Sequence, residues 1–157
     1  LAPAWARGAC WFRLRGAPDL AFQSLFVAVA ENSSLGSELK RNLASIGGLQ
    51  VIADPAQKSK AQAVLDVLSE QREKTVVGVN AAGQVREFQL RVRVNFRLST
   101  PQGAELIPAT ELLQQRDISF NESAVLAKEA EEGLLYRDMQ TDIVQQLMRR
   151  LAAVKSL

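Results

Sequence analysis

Three arginines in the middle of this chain lie even numbers of positions apart from one another. Arg91, Arg93 and Arg97 share one face if their segment is a β-strand, because side chains two residues apart point the same way. Side chains two residues apart on such a face lie roughly 7 Å from each other. Guanidinium groups bind phosphate through paired hydrogen bonds, so this row suits an extended anionic ligand. A solvated face whose charges pair with neighbouring strands is the alternative.

A lysine near the start of a predicted C-terminal helix is the second candidate cation. Lys128 carries a positive charge where the helix dipole favours a negative one. It either pairs with Glu132 one turn further on or contacts a ligand, and the sequence leaves both interpretations open.

The composition argues against catalysis. The 157 residues include no histidine and a single cysteine, Cys10, so the commonest general base and any site built from several thiolates are missing. No nucleophile can be paired with a base, and no third ligand accompanies the acidic pair Asp138 and Asp142. We therefore predict a non-enzymatic protein with no catalytic residue, no cofactor and no metal.

Nucleic acid is a weaker candidate ligand for the arginine row. The formal charge is only +2, from 19 basic and 17 acidic residues, whereas nucleic-acid-binding domains are usually far more basic. Sheets that bind RNA place aromatic residues among the basic ones, but here Phe88 and Phe96 alternate with the arginines and belong to the other face. We predict no nucleic-acid partner for the favoured function, and the alternative function is a soluble sheet domain that binds another polyanion such as nucleic acid.

The elements that position these cations follow from hydrophobic periodicity. Strict alternation between residues 87 and 98 predicts a strand with one buried face. The less regular pattern from Ala61 to Val79 predicts a bent or bulged partner strand, joined to it by a turn at residues 80–84. Residues 106–120 predict a further strand, and residues 24–30 a short buried one.

Two helices complete the prediction. Leu35, Leu39, Leu43 and Ile46 form one apolar stripe behind the cap residues Asn32 to Ser34. A second stripe, in a long helix capped by Asn121, comprises Leu135, Met139, Ile143, Leu147, Leu151 and Val154. The predicted fold class is α+β, a two-layer sandwich in which two helices pack on one face of a mixed, mostly antiparallel sheet of about four strands. The other face of the sheet would be left for water or a partner.

The first ten residues resemble the end of a lipoprotein signal. Gly8-Ala9-Cys10 places small residues before a cysteine, although Arg7 stands where leucine is usual. We predict a signal remnant with an acylated anchor at Cys10 in residues 1–10, followed by a single domain in residues 11–157. A free thiol in a frayed N-terminus is the alternative interpretation.

Four segments in this order resemble the family of the lipopolysaccharide-assembly lipoprotein LptE, or rare lipoprotein B. They are Cys10–Gly16, the alternating strand Glu87–Leu98, Ala124–Glu132 with its Leu-Ala-Lys core, and Asp142–Leu151. The resemblance implies a lipoprotein held in the outer membrane by acylated Cys10 and facing the periplasm. It further implies a plug in the lumen of the LptD β-barrel that assists barrel assembly and binds lipopolysaccharide during export to the outer leaflet, with Lys128 involved. Together with the arginine row, the resemblance predicts that Arg91, Arg93 and Lys128 bind lipopolysaccharide. A purely structural role in the barrel is the competing hypothesis.

Overall fold

The computed structural model describes residues 20–157, so Cys10 and the boundary predicted between residues 10 and 11 lie outside the described residues. The strands are β1 (Ser24–Ala28), β2 (Gln50–Ile52), β3 (Ala63–Val79), β4 (Val85–Ser99) and β5 (Glu105–Ser119). The helices are α1 (Ser34–Ala44), between β1 and β2, and α2 (Val125–Ala152), after β5. Neither of these helices combines the length and the apolar character that are needed to cross a bilayer.

All five strands form one mixed sheet in the order β2-β1-β3-β4-β5. β1 pairs in parallel with β2 and with β3, whereas β3, β4 and β5 form two long antiparallel ladders. The α+β class and the mixed sheet are therefore confirmed. The predicted count of about four strands was too low, because Gln50–Ile52 pairs with β1 and adds a fifth strand at the edge.

The alternating segment supplies the centre of the core, as predicted. Its five inward side chains are almost fully buried: Leu90, Val92, Val94, Phe96 and Leu98. The predicted irregularity of β3 is also present, since its pairing with β4 shifts register between Val67 and Ser69 and again around Gly78. These shifts bend the long hairpin while keeping the apolar parity of β4 under the helices.

Both helices lie against that apolar face, which confirms the predicted two-layer arrangement. α1 begins at an N-cap, Ser33, whose Oγ accepts the Gly36 amide at 2.9 Å, and it buries its leucine stripe. α2 buries Met139, Ile143, Val144, Leu147 and Leu151 in the same cluster. Asn121 was predicted to cap this helix directly. It caps a short 3₁₀ turn, Glu122–Ala124, instead, and the α-helix begins at Val125.

A polar contact fixes how the two helices cross. Gln140 of α2 is 6% exposed, and its Oε1 accepts the Ser34 hydroxyl at 2.7 Å. Its Nε2 donates to Oε2 of Glu38 at 2.8 Å. A buried amide that is satisfied at both ends orients its neighbours, because an unmatched polar group would cost free energy there.

The opposite face of the sheet is not bare along its whole length. Near β1 and β2 it carries a small apolar cluster, which comprises Phe26, Ile52, Ala61 and Val64. A 3₁₀ turn, Pro55–Lys60, lies beside this cluster and places the Lys58 ammonium 5.8 Å from the centre of the Phe26 ring. The prediction of an uncovered face was therefore wrong at this end of the sheet, and it holds for β4, β5 and the part of β3 beyond Val64.

Candidate functional site

The surface of β3, β4 and β5 that faces away from α2 is the candidate site, and we call it the open face. Arg91 and Arg93 lie at its centre on β4, with Glu73 and Gln71 opposite them on β3. On the other side, Arg91 pairs with Gln115 of β5. The sheet register therefore brings Arg91 and Arg93 together on one face, among polar side chains and one exposed apolar side chain, Leu113, beside Arg93.

Arg93 lies between two carboxylates on the neighbouring strands. Its Nε is 3.3 Å from Oε1 of Glu111 on β5, and its Nη1 is 3.9 Å from Oε1 of Glu73 on β3. The Nε atom is buried, yet it makes no hydrogen bond with residues 20–157, so its contact with Glu111 is a charge contact with poor hydrogen-bond geometry. The charge of Arg93 is thus balanced within the sheet.

Arg97 is paired in the same manner. Its Nη2 donates to Oδ2 of Asp66 at 3.2 Å, across the β3–β4 ladder. Between Arg97 and Arg93, the Asn95 amide donates to Ser69 Oγ at 2.8 Å. The open face therefore has mixed charge, because cross-strand partners neutralise two of the three arginines in the row.

Arg91 differs from the other two arginines. Its Nε donates to Oε1 of Gln89, a neutral side chain, at 2.9 Å. Within residues 20–157 it forms no ion pair, although Glu73 is its cross-strand neighbour, since that carboxylate lies towards Arg93. Arg91 thus has no carboxylate partner within residues 20–157, and Gln89 holds it in place at the centre of the open face.

Lys128 is separated from the two arginines. It lies in the helix layer, and its Nζ donates to Ser119 Oγ at the end of β5 and to Oε2 of Glu131, each at 3.0 Å. The pair with Glu132, which was one of the two open interpretations, does not form, because the carboxylate of Glu132 binds Lys74 at 2.7 Å. Ser119 is four residues along β5 from Gln115, the partner of Arg91, which corresponds to about 13 Å of strand. Lys128 therefore marks the end of the open face, while Arg91 and Arg93 mark its centre.

The sequence prediction missed the carboxylates that share this face. Glu73 and Glu111 lie on different strands from Arg93, and only the register of both ladders shows that all three meet. The presence of acidic residues in both flanking strands was the available signal. Within the described part of the chain, no group of three or more acidic, cysteine or histidine side chains is arranged to hold a metal ion.

The fold and its sequence agree with a known family. A family model described as LptE, lipopolysaccharide-assembly, matches residues 22–151, which extend from just before β1 almost to the end of α2. The chain belongs to the LptE family. Arg91, Arg93 and Lys128 all lie within the residues that the LptE model matches.

Individual relatives and solved structures agree with this family assignment. The LPS-assembly lipoprotein LptE of Pectobacterium atrosepticum is 23% identical over 147 residues, which cover 92% of this chain and 78% of that protein. The solution structure of lipoprotein B from Nitrosomonas europaea is similar, with a TM-score of 0.78, 34% identity and 90% of each chain covered. A minor lipoprotein from Acinetobacter baumannii gives a TM-score of 0.67 at 25% identity, covering 86% of this chain and 94% of the other. This LptE-family chain therefore has the fold of these lipoproteins.

Proposed function

We propose that this protein is a non-enzymatic lipoprotein of the outer membrane that binds lipopolysaccharide and plugs the LptD β-barrel, whose assembly it assists. Membership of a lipopolysaccharide-assembly family supports the pathway. The open face supports the ligand, because it presents hydrogen-bonding side chains that α1 and α2 leave uncovered. Cys10 would carry the acyl anchor on the periplasmic side of the membrane.

The observation that carries this proposal is the state of Arg91. Gln89 orients the Arg91 guanidinium, which has no carboxylate partner among residues 20–157. This guanidinium is therefore available to bind a phosphate group. Arg93 adjoins it, and a ligand phosphate would compete with Glu111 for that second guanidinium. The glycolipid would therefore bind across β4, with its phosphates at Arg91 and Arg93.

Lys128 would contribute at the end of the same face. Its side chain is 23% exposed, and its present partners are a neutral hydroxyl and one solvent-exposed carboxylate. Exposed ion pairs of this kind contribute little stability, about 0–1 kcal/mol. Lys128 can thus exchange Glu131 for a ligand phosphate or sugar hydroxyl at small cost.

A purely structural role in the barrel is the second candidate, and the ion pairs of the open face favour it. Arg93 and Arg97 already have carboxylate partners, which leaves fewer free charges than the arginine row suggested. Under this alternative the protein would fill the barrel and support its folding with no affinity of its own for lipopolysaccharide.

Retention of lipopolysaccharide by the immobilised full-length protein distinguishes these candidates. We expect the Arg91→Glu, Lys128→Glu double variant to lose about tenfold or more in affinity at low salt, because charge-assisted hydrogen bonds to phosphate would be replaced by repulsion. The loss should shrink as salt is added. The matched control reverses one cation in the last turn of α2 and one just beyond its end, in the variant Arg149→Glu, Lys155→Glu.

Equal retention by the double variant and the wild type would exclude Arg91 and Lys128 as binding residues. Wild-type protein that purifies with LptD but retains no lipopolysaccharide would support the structural alternative. The intact mass of protein extracted from membranes tests the anchor, since acylation at Cys10 adds the mass of its acyl chains. An unmodified thiol at Cys10 would contradict the proposed attachment.

A further inference from the structure

A polar cleft lies on the helix side of the sheet, between α1, α2 and β3. Its volume is about 620 Å³, which is within the usual range for small-molecule sites. Three arginines line it, one from each of the three elements: Arg41 from α1, Arg72 from β3 and Arg137 from α2. The cleft is separate from the open face, because the sheet stands between them.

None of these three arginines forms an ion pair with another residue in the range 20–157. The single carboxylate in the cleft wall, Glu38, is already engaged. Its Oε1 accepts the Thr141 hydroxyl and its Oε2 accepts the Gln140 amide, each at 2.8 Å. The cleft therefore has three guanidinium charges against one hydrogen-bonded carboxylate, and its net charge is positive.

Arg72 is oriented before any ligand arrives. Its Nη2 donates to Oε1 of Gln140 at 3.1 Å, and its guanidinium carbon lies 5.2 Å from the centre of the Tyr136 ring. Because Gln140 belongs to α2, is buried and is hydrogen-bonded to Ser34 and Glu38 of α1, the position of Arg72 depends on the packing of the two helices. A guanidinium with a fixed orientation loses less conformational entropy when it binds an anion.

Gly133 of α2 shapes the wall of the cleft. A β-carbon at this position would meet nothing within 4 Å, so close packing does not require glycine here. Glycine in the interior of a helix costs about 1 kcal/mol relative to alanine. The absent side chain leaves room for a bound molecule beside Arg137, one turn further along the helix.

Hydroxyl groups complete the lining. Ser34, Ser37 and Thr141 each donate their hydroxyl proton to another protein group. The hydroxyl oxygens therefore remain able to accept hydrogen bonds from a ligand. Cationic groups for an anion and acceptors for hydroxyl groups together suit an esterified phosphate on a hydroxylated molecule.

We propose that this cleft binds a phosphate monoester, which is either a soluble sugar phosphate or the phosphate headgroup of a lipid. Arg72 and Arg137 hold the phosphate oxygens, Arg41 adds positive charge at the entrance, and the serine and threonine hydroxyls contact the rest of the ligand. This site does not depend on the proposed function, because Arg91 lies on the opposite face of the sheet.

Nuclear magnetic resonance titration of the full chain tests the site with glucose 6-phosphate, with glucose as the uncharged comparison. We expect saturable shifts of the Ser34 and Gln140 signals with the phosphate ester only. The Arg137 side chain has no intramolecular partner among the described residues, so the Arg137→Gln variant should fold normally. It should bind glucose 6-phosphate about tenfold more weakly. Arg72→Gln should weaken binding by a similar factor.

Two control variants separate this site from general charge effects and from the open face. The Arg149→Gln, Arg150→Gln variant removes two positive charges from the end of α2, outside the cleft, and should bind as the wild type does. Arg91→Gln should also bind glucose 6-phosphate normally, so failure of the proposed function would leave this result unchanged.

Vesicles of phosphatidylcholine with and without phosphatidic acid form the lipid arm. Binding to phosphatidic acid that is lost in Arg137→Gln, with no binding of glucose 6-phosphate, would assign the cleft to a lipid headgroup. The reverse result would assign it to a soluble ester. Absence of both interactions, or equal weakening by Arg137→Gln and by the Arg149→Gln, Arg150→Gln control, would overturn the proposal.

Discussion

Arg93 of β4 and Glu111 of β5 are neighbours on the open face, with Nε of the arginine 3.3 Å from Oε1 of the glutamate. The guanidinium Nε–H is not aligned for a hydrogen bond, so the contact is mainly electrostatic. Both side chains are partly exposed, and pairs of this kind typically contribute about 0–1 kcal/mol to stability. Glu111 therefore restrains Arg93 without contributing much to folding.

Replacing that carboxylate should release the arginine for ligand binding. We expect Glu111→Gln to retain lipopolysaccharide about two- to fivefold more tightly at low salt, because a competing negative charge is removed. The free energy of unfolding should change by less than about 1 kcal/mol. Retention on immobilised protein and urea unfolding measure the two effects.

Glu129→Gln is the matched control for Glu111→Gln. It removes the same charge from the exposed surface of α2, at a position where the described residues form no ion pair with it. Equal changes in the two variants would mean that net charge alone governs retention. Weaker retention by Glu111→Gln would contradict a ligand at Arg93.

Tyr136 links α2 to β3 and should make the fold sensitive to alkali. Its hydroxyl donates to the main-chain carbonyl of Glu73 at 3.0 Å. Burial raises the pKa of Tyr136 above its ordinary value of 10.0, and the charge of Glu132 raises it further, whereas Arg72 lowers it. Above about pH 10 the unfolded chain loses this proton first, so the contribution of Tyr136 to stability falls as the pH rises.

Tyr136→Phe removes this alkaline effect. We expect the variant to be about 1 kcal/mol less stable at neutral pH, because the hydrogen bond to Glu73 is lost, and to show a smaller decline in stability above pH 10. The chain contains one tyrosine, so tyrosinate absorbance follows this group directly. Titration of the folded protein at or below the pH found for the urea-unfolded chain would contradict the raised pKa.

Gln140 should be needed for the helix crossing. Gln140→Leu leaves Ser34 and Oε2 of Glu38 without their amide partner at a partly buried contact. We expect a loss of about 2 kcal/mol in the free energy of unfolding, measured in urea. Gln145→Leu, at an exposed position of the same helix, should change stability by about 0.5 kcal/mol or less. Equal stability of Gln140→Leu and wild type would show that the network is not needed.

Gly133→Ala should stabilise the protein by about 0.5–1 kcal/mol, since alanine is the better helix former and its β-carbon enters open space. Gly83, in the β3–β4 turn, has a φ of +78° and is the contrasting position. Gly83→Ala should cost about 1 kcal/mol, because an L side chain is strained at that φ. Urea midpoints of both variants test this pair, and a destabilised Gly133→Ala would show that the glycine has a packing role.

The sequence by itself determined which residues face the core. Alternation from Phe88 to Leu98 requires one buried face, since a strand turns successive side chains to opposite sides. The stripe from Leu135 to Leu151 requires a helix packed along one side, because its spacing matches the helical repeat. These patterns are local, and with the matching family motifs they were enough to predict the layers and the family.

Only the tertiary structure decided which charges meet. Glu73 and Glu111 reach Arg93 through the register of two ladders, and that register depends on the turn lengths and on the register shifts around Gly78 and Leu98. Arg41, Arg72 and Arg137 are far apart in the chain and share a cleft because two helices cross over β3. Hydrophobic periodicity fixes which way each side chain points. The partner of a surface charge depends instead on how separate strands and helices are aligned, and no local sequence pattern encodes that alignment.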